Sequence, residues 1–269
     1  MTRALPLLAL CLALPACDVT HLLTEDEVRD PANICLTGAP GTCAFEGAPV
    51  ELRDDPRRLP GRSYTFYPMA RAVSFADGTG RTWVAPAGTL TDGASIPPIF
   101  VPIVGRPTAP EVRGAAAVHD AYCGVGNEAG PAFHKAEWPD VHRMFYDALI
   151  AGGTEPVRAK LMFAAVYLGG PRWTIHRPDT DPSRDLSAVP APRKQQAMRR
   201  AKSYIESSDP DPAQLERFLL MLERQMLQEM ARLDSDADSR TEQGGEPSYE
   251  GYEPQIEDFD KTAVDRVPG

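Results

Sequence analysis

Short runs of alternating apolar and polar residues occupy 61–90, helix-forming apolar segments follow from 111, and over 215–233 apolar residues recur at intervals of three and four. The first pattern predicts strands at Ser63-Tyr64-Thr65-Phe66-Tyr67, Ala72-Val73-Ser74-Phe75 and Thr82-Trp83-Val84, where β-branched and aromatic residues dominate. Asp77-Gly78-Thr79-Gly80 reads as the hairpin turn between the last two. A proline-rich loop is expected over 91–110. Helices are then predicted over 111–122, 139–150 and 156–168, the last two closed by glycine pairs. Pro139 suits a first helical turn, where its missing N–H costs nothing. Two more helices are expected over 193–206 and 211–233. Asp211, Pro212 and Gln214 form a capping box, and Leu215, Phe218, Leu219, Leu222, Met226, Met230 and Leu233 form one apolar stripe. The fold class read from this order is α+β: a small antiparallel β portion packed on a helical unit, plus a C-terminal helical extension.

Composition adds a boundary at each end. The 269 residues carry a formal charge of −10. Residues 234–269 hold 11 acids against 3 bases and few aliphatics, so they read as a disordered acidic tail. The balance excludes a nucleic-acid phosphate tracker, which needs clustered positive charge. The division expected is a leader at 1–16, a tether and irregular lead-in at 17–60, a core domain at 61–170, a helical extension at 171–233, and the tail.

The leader has one early cation, Arg3, and an apolar stretch from Ala4 to Leu14, too short to span a bilayer. It ends Leu14-Pro15-Ala16-Cys17, which resembles the bacterial lipobox, in which the cysteine is lipidated and becomes the first mature residue. That resemblance implies a protein anchored by lipid to an envelope membrane, with Cys17 as the attachment point. Stable anchoring needs more than one acyl chain, as bacterial lipoproteins supply. Cys35 and Cys43 flank a Gly/Pro-rich stretch and are placed to close a small ring, worth about 2.5 kcal/mol in the chain-entropy picture. Cys123 is an alternative partner for either, and the sequence leaves that open.

Candidate chemistry concentrates between residues 88 and 147. Thr91-Asp92-Gly93-Ala94-Ser95-Ile96-Pro97 is followed by His119-Asp120-Ala121-Tyr122, and then by Asp140 with Phe145 and Tyr146 on the next helix. This succession resembles the bacterial and phage family known as domain of unknown function 1353, over roughly 60–170. The family name implies no activity. Taken with the lipobox, the first reading is an exported, membrane-tethered protein with a non-catalytic envelope or phage-derived interaction role, its helical extension and tail available to a protein partner.

A second resemblance implies chemistry. His119-Asp120 with Tyr122, followed 21 residues after the His by Asp140 and then by Phe145-Tyr146-x-x-Leu149, looks like the helical pair of prokaryotic secreted phospholipase A2. By that resemblance His119 is the general base, Asp140 orients it, and Asp120 binds Ca²⁺. We add Asp92 as a further Ca²⁺ oxygen, since calcium needs six to eight. The alternative function is therefore a Ca²⁺-dependent lipid or ester hydrolase. Against it stands a structural reading in which His119 is a bonded core residue, Asp120 a helix-end acid and Asp92 a turn cap. His134 and His142 flank the region at a spacing that matches no zinc motif, and there is no Cys-x-x-Cys.

Overall fold

The structure, a computed structural model, describes residues 35, 43–62, 65–93, 96–104, 109–175 and 184–242. The expected leader, Cys17 as expected lipidation site, Ser95 and most of the acidic tail lie outside the described residues. The chain divides into two compact units, 1–227 and 228–269.

The hairpin forms as its turn chemistry requires. Asp77 Oδ1 accepts hydrogen bonds from the Thr79 amide and hydroxyl and from the Arg81 amide, and Oδ2 accepts one from Trp83 Nε1 at 2.7 Å. Gly80 supplies the left-handed φ of +84°. Strand β4 (Val73–Ala76) then pairs antiparallel with β5 (Thr82–Ala85), with Phe75 opposite Trp83. Strand β1 (Ala44–Glu46) covers the other edge of β4, with Phe45 opposite Phe75 and their rings 5.0 Å apart. A second antiparallel sheet runs in the order β2 (Arg57–Arg58), β3 (Thr65–Pro68), β6 (Leu90–Thr91). The lead-in is thus not uniformly irregular: it provides an edge strand to each sheet. Cys35 and Cys43 are joined by a disulfide across Cα atoms 5.3 Å apart, and Cys123 is a buried free thiol.

The stretch expected as a loop over 91–110 contains a 3₁₀ turn (Pro98–Phe100) and a one-turn helix α1 (Val101–Val104). Three longer helices follow: α2 (Arg113–Cys123), α3 (Trp138–Ala151) and α4 (Pro156–Gly169). Glu155 caps α4 by accepting from the amides of Val157 and Arg158. Side chains from Ala159 to Leu168 are all buried, so α4 is the central helix of the unit. Helix α3 packs between α2 and α4, and α2 lies against the β4–β5 hairpin. This is the expected α+β class.

Helix α5 (Ala191–Ser208) packs on the far side of α4. Helix α6 (Pro212–Glu242) begins at the expected capping box: the Asp211 amide donates to Gln214 Oε1 at 3.0 Å and the Gln214 amide donates to Asp211 Oδ1 at 2.7 Å. Leu215, Leu219, Leu222 and Met226 are buried as the stripe predicts. Between them Glu223 is buried too. It pairs with Arg172 at 3.1 Å and Arg184 at 2.7 Å, and both guanidinium groups stand over the Trp138 ring. In the second unit the helix continues to Glu242, so the segment expected to be disordered from 234 starts as helix.

Candidate functional site

His119 and Asp120 sit in the last two turns of α2, and both are 1% exposed. The His119 ring lies 4.8 Å from the Phe145 ring and 5.3 Å from the His142 ring, both on α3. Its Nε2 is 3.4 Å from Cys123 Sγ, and its Nδ1 is 3.9 Å from Asp120 Oδ1.

Asp140 is elsewhere. It stands in the first turn of α3, 58% exposed, with its carboxylate 3.6 Å from Arg81. The expected orientation of His119 by Asp140 is therefore corrected. The reason is helical phase: positions 140 and 142 point about 200° apart at 3.6 residues per turn. His142 faces inward toward His119, and Asp140 faces outward. A general base must reach its substrate directly or through one water, and the His119 ring is enclosed by neighbouring side chains.

Asp92 follows β6 and is half-buried, lining a 220 Å³ cavity with Tyr67, Leu52 and Arg113. Burial, and then the charge of Asp120, push its carboxyl up to about 6. The two acids assigned to Ca²⁺ are thus close enough to feel one another, while Asp92 opens to a surface cavity and Asp120 stays enclosed. Asp92 Oδ1 has no hydrogen-bond partner.

What the structure brings together instead is His119, Cys123 and His142. Their ligand atoms lie within 4.8 Å of one another, and all three residues are buried. Neither ring nitrogen of His142 has a hydrogen-bond partner, although the residue is 0% exposed. Burial, then His119 and Arg172, hold its imidazole well below the usual histidine range. Burial, then Asp120, push the Cys123 thiol well above its usual value. From the sequence alone Cys123 is an open alternative for a disulfide and His142 matches no zinc motif. The available signal was His119 and Cys123 four apart, which places them on one face of a helix.

Asp140 lines a separate cleft of about 630 Å³, together with Asp77, Arg81, Arg143, Asp147 and Glu216. Its walls are the β4–β5 hairpin, α3, α4 and the start of α6. Arg143 is held by Glu216 at 2.9 Å and by Asp147 at 3.4 Å. Burial outweighs that arginine at Asp147 and pushes its carboxyl up to about 7.

The comparisons with known proteins coincide with this core. Residues 67–166 match the model of a family described as a protein of unknown function (DUF1353), the family that the heptapeptide and the His-Asp pair resemble. An uncharacterized protein of Sinorhizobium fredii, y4iH, is 43% identical over 99 residues, covering 37% of this chain and 38% of that protein. A second from the same organism, y4jT, is 33% identical over 152 residues, covering 56% of this chain and 40% of that protein. The chain spans about two fifths of the length of these curated relatives. No solved structure matches it.

Proposed function

We propose that this chain is an exported protein of the bacterial envelope, tethered to a membrane by lipid on Cys17, whose core binds a protein partner rather than hydrolysing lipid. The observation that carries the reading is the disulfide between Cys35 and Cys43. Such bonds form and persist in oxidising compartments outside the cytosol, the destination a secretory leader ahead of Cys17 implies. Among the described residues no helix is long and apolar enough to cross a membrane.

The enclosure of His119 and the outward position of Asp140 favour binding over hydrolysis. The 630 Å³ cleft offers a surface for a partner: acids and arginines alternate around it, and Ala213, Glu216, Arg217 and Leu220 of α6 form one wall. Radiolabelled palmitate fed to cells expressing the full chain tests the tether. Label should appear on the wild type and partition with it into detergent, and Cys17→Ser should abolish both. Retention of label by Cys17→Ser, or an unlabelled wild type, overturns the reading.

A further inference from the structure

We propose that His119, Cys123 and His142 form a buried three-ligand site for one zinc-class divalent metal ion. The inference goes beyond the proposed envelope role and does not depend on it.

The first argument is geometry. His119 and Cys123 are one helical turn apart on α2 and project from the same face. His142 enters from α3 and closes the third side, its ring 5.3 Å from that of His119. In a tetrahedral zinc site, metal–nitrogen and metal–sulfur bonds of about 2.0 and 2.3 Å place ligand atoms roughly 3.3–3.6 Å apart. Cys123 Sγ and His119 Nε2 already stand at 3.4 Å. The widest separation in the set is 4.8 Å, and side-chain rotation of about 1 Å brings it into range.

The second argument is the state of His142. A fully buried imidazole whose two nitrogens lack partners is rare, because an unpaired buried polar group is costly. An ion in the pocket gives one nitrogen a bond. Cys123 Sγ lies 3.4 Å from His119 Nε2 and 3.7 Å from Nδ1, so the thiol faces the imidazole edge that a metal would share with it.

The donor set selects the metal. Two imidazoles and a thiolate suit zinc and its softer neighbours, whereas calcium and magnesium take oxygen. On binding, the Cys123 S–H bond breaks, the metal–sulfur bond forms, and the proton leaves to solvent. Three protein ligands leave a fourth position for water or an exogenous donor.

Purified full-length chain, stripped with a strong chelator and dialysed against zinc, should retain one zinc per chain by elemental analysis. Cobalt in place of zinc should give tetrahedral d–d bands and a near-ultraviolet thiolate-to-cobalt band. Cys123→Ser should remove the thiolate band, and His142→Leu should weaken zinc on the order of a hundredfold in competition with a chromophoric chelator. Leucine fills the His142 position without leaving unpaired nitrogens, so circular dichroism of that variant should match the wild type. A wild type that holds no stoichiometric zinc overturns the proposal. So does a cobalt spectrum without the thiolate band, or undiminished affinity in a folded His142→Leu chain.

Discussion

Asn127 holds Leu90 by both of its backbone groups. The Leu90 amide donates to Asn127 Oδ1 at 2.8 Å, and Asn127 Nδ2 donates to the Leu90 carbonyl at 2.9 Å. The same Nδ2 donates to the Asp120 carbonyl at 3.0 Å. One amide thus fastens β6, which leads into Asp92, to the C-terminal end of α2, which carries the His-Asp pair. Asn127→Ala should lose about 3 kcal/mol of stability, since three bonds are broken at a buried position. Urea unfolding of both chains measures it. A loss under about 1 kcal/mol would mean that water replaces the amide.

Glu223 gives a larger effect. Its carboxylate is 1% exposed and faces two arginines, one of them 10% exposed. Glu223→Ala leaves those cations without their counter-charge and should cost about 3–5 kcal/mol. Glu223→Gln, which keeps hydrogen-bond acceptance, should cost less. Thermal melts that rank the two variants the other way would assign the role to packing rather than charge.

Asp147 predicts a pH dependence. Its carboxyl is raised from 3.8 to about 7 in the folded chain, by burial against Arg143, with Asp77 and Glu216 adding to the rise. The folded state therefore binds more protons than the unfolded state between those values, and stability falls as pH rises through that window. The fall is on the order of 2–4 kcal/mol. Asp147→Asn should flatten most of it in unfolding curves taken at pH 5 and pH 8. Asp92, raised to about 6, adds slope of the same sign, while the His142 and His134 imidazoles, lowered by burial, contribute slope of the opposite sign near the usual histidine range.

Asp77 organises its hairpin through four accepted hydrogen bonds, one from the buried Trp83 indole. Asp77→Ala leaves that indole N–H without its acceptor and should cost about 2–4 kcal/mol. Near-ultraviolet circular dichroism and tryptophan emission report it, since Trp83 is 2% exposed. Asp77→Asn, which keeps an acceptor, should recover part of the loss.

These same residues explain what the sequence discloses. The β4–β5 turn is legible because Asp77 and Gly80 carry its chemistry locally, and the start of α6 is legible for the same reason at Asp211 and Gln214. Strands β1 and β2, three and two residues long, offer too few positions for alternation, and they exist through pairing with distant partners. The end of α6 is missed because Asp and Arg beyond Leu233 break the apolar stripe without breaking a helix. The candidate site is half legible. His119 and Asp120 are legible as a His-Asp pair on one helix, but whether His142 or Asp140 meets them depends on which face of α3 turns inward. A two-residue difference, Asp140 against His142, decides between an exposed carboxylate and an enclosed ring, and only packing sets that phase.

Helix α4 is enclosed on every side, with α3 against one flank and α5 against another. The segment shared with the family ends at residue 166, inside that helix. Cutting the chain there would strip the cover from Ala159, Phe163 and their neighbours and leave a greasy seam facing water. In this chain the matched segment is therefore no free-standing module: its central helix depends on a lid supplied from beyond the match.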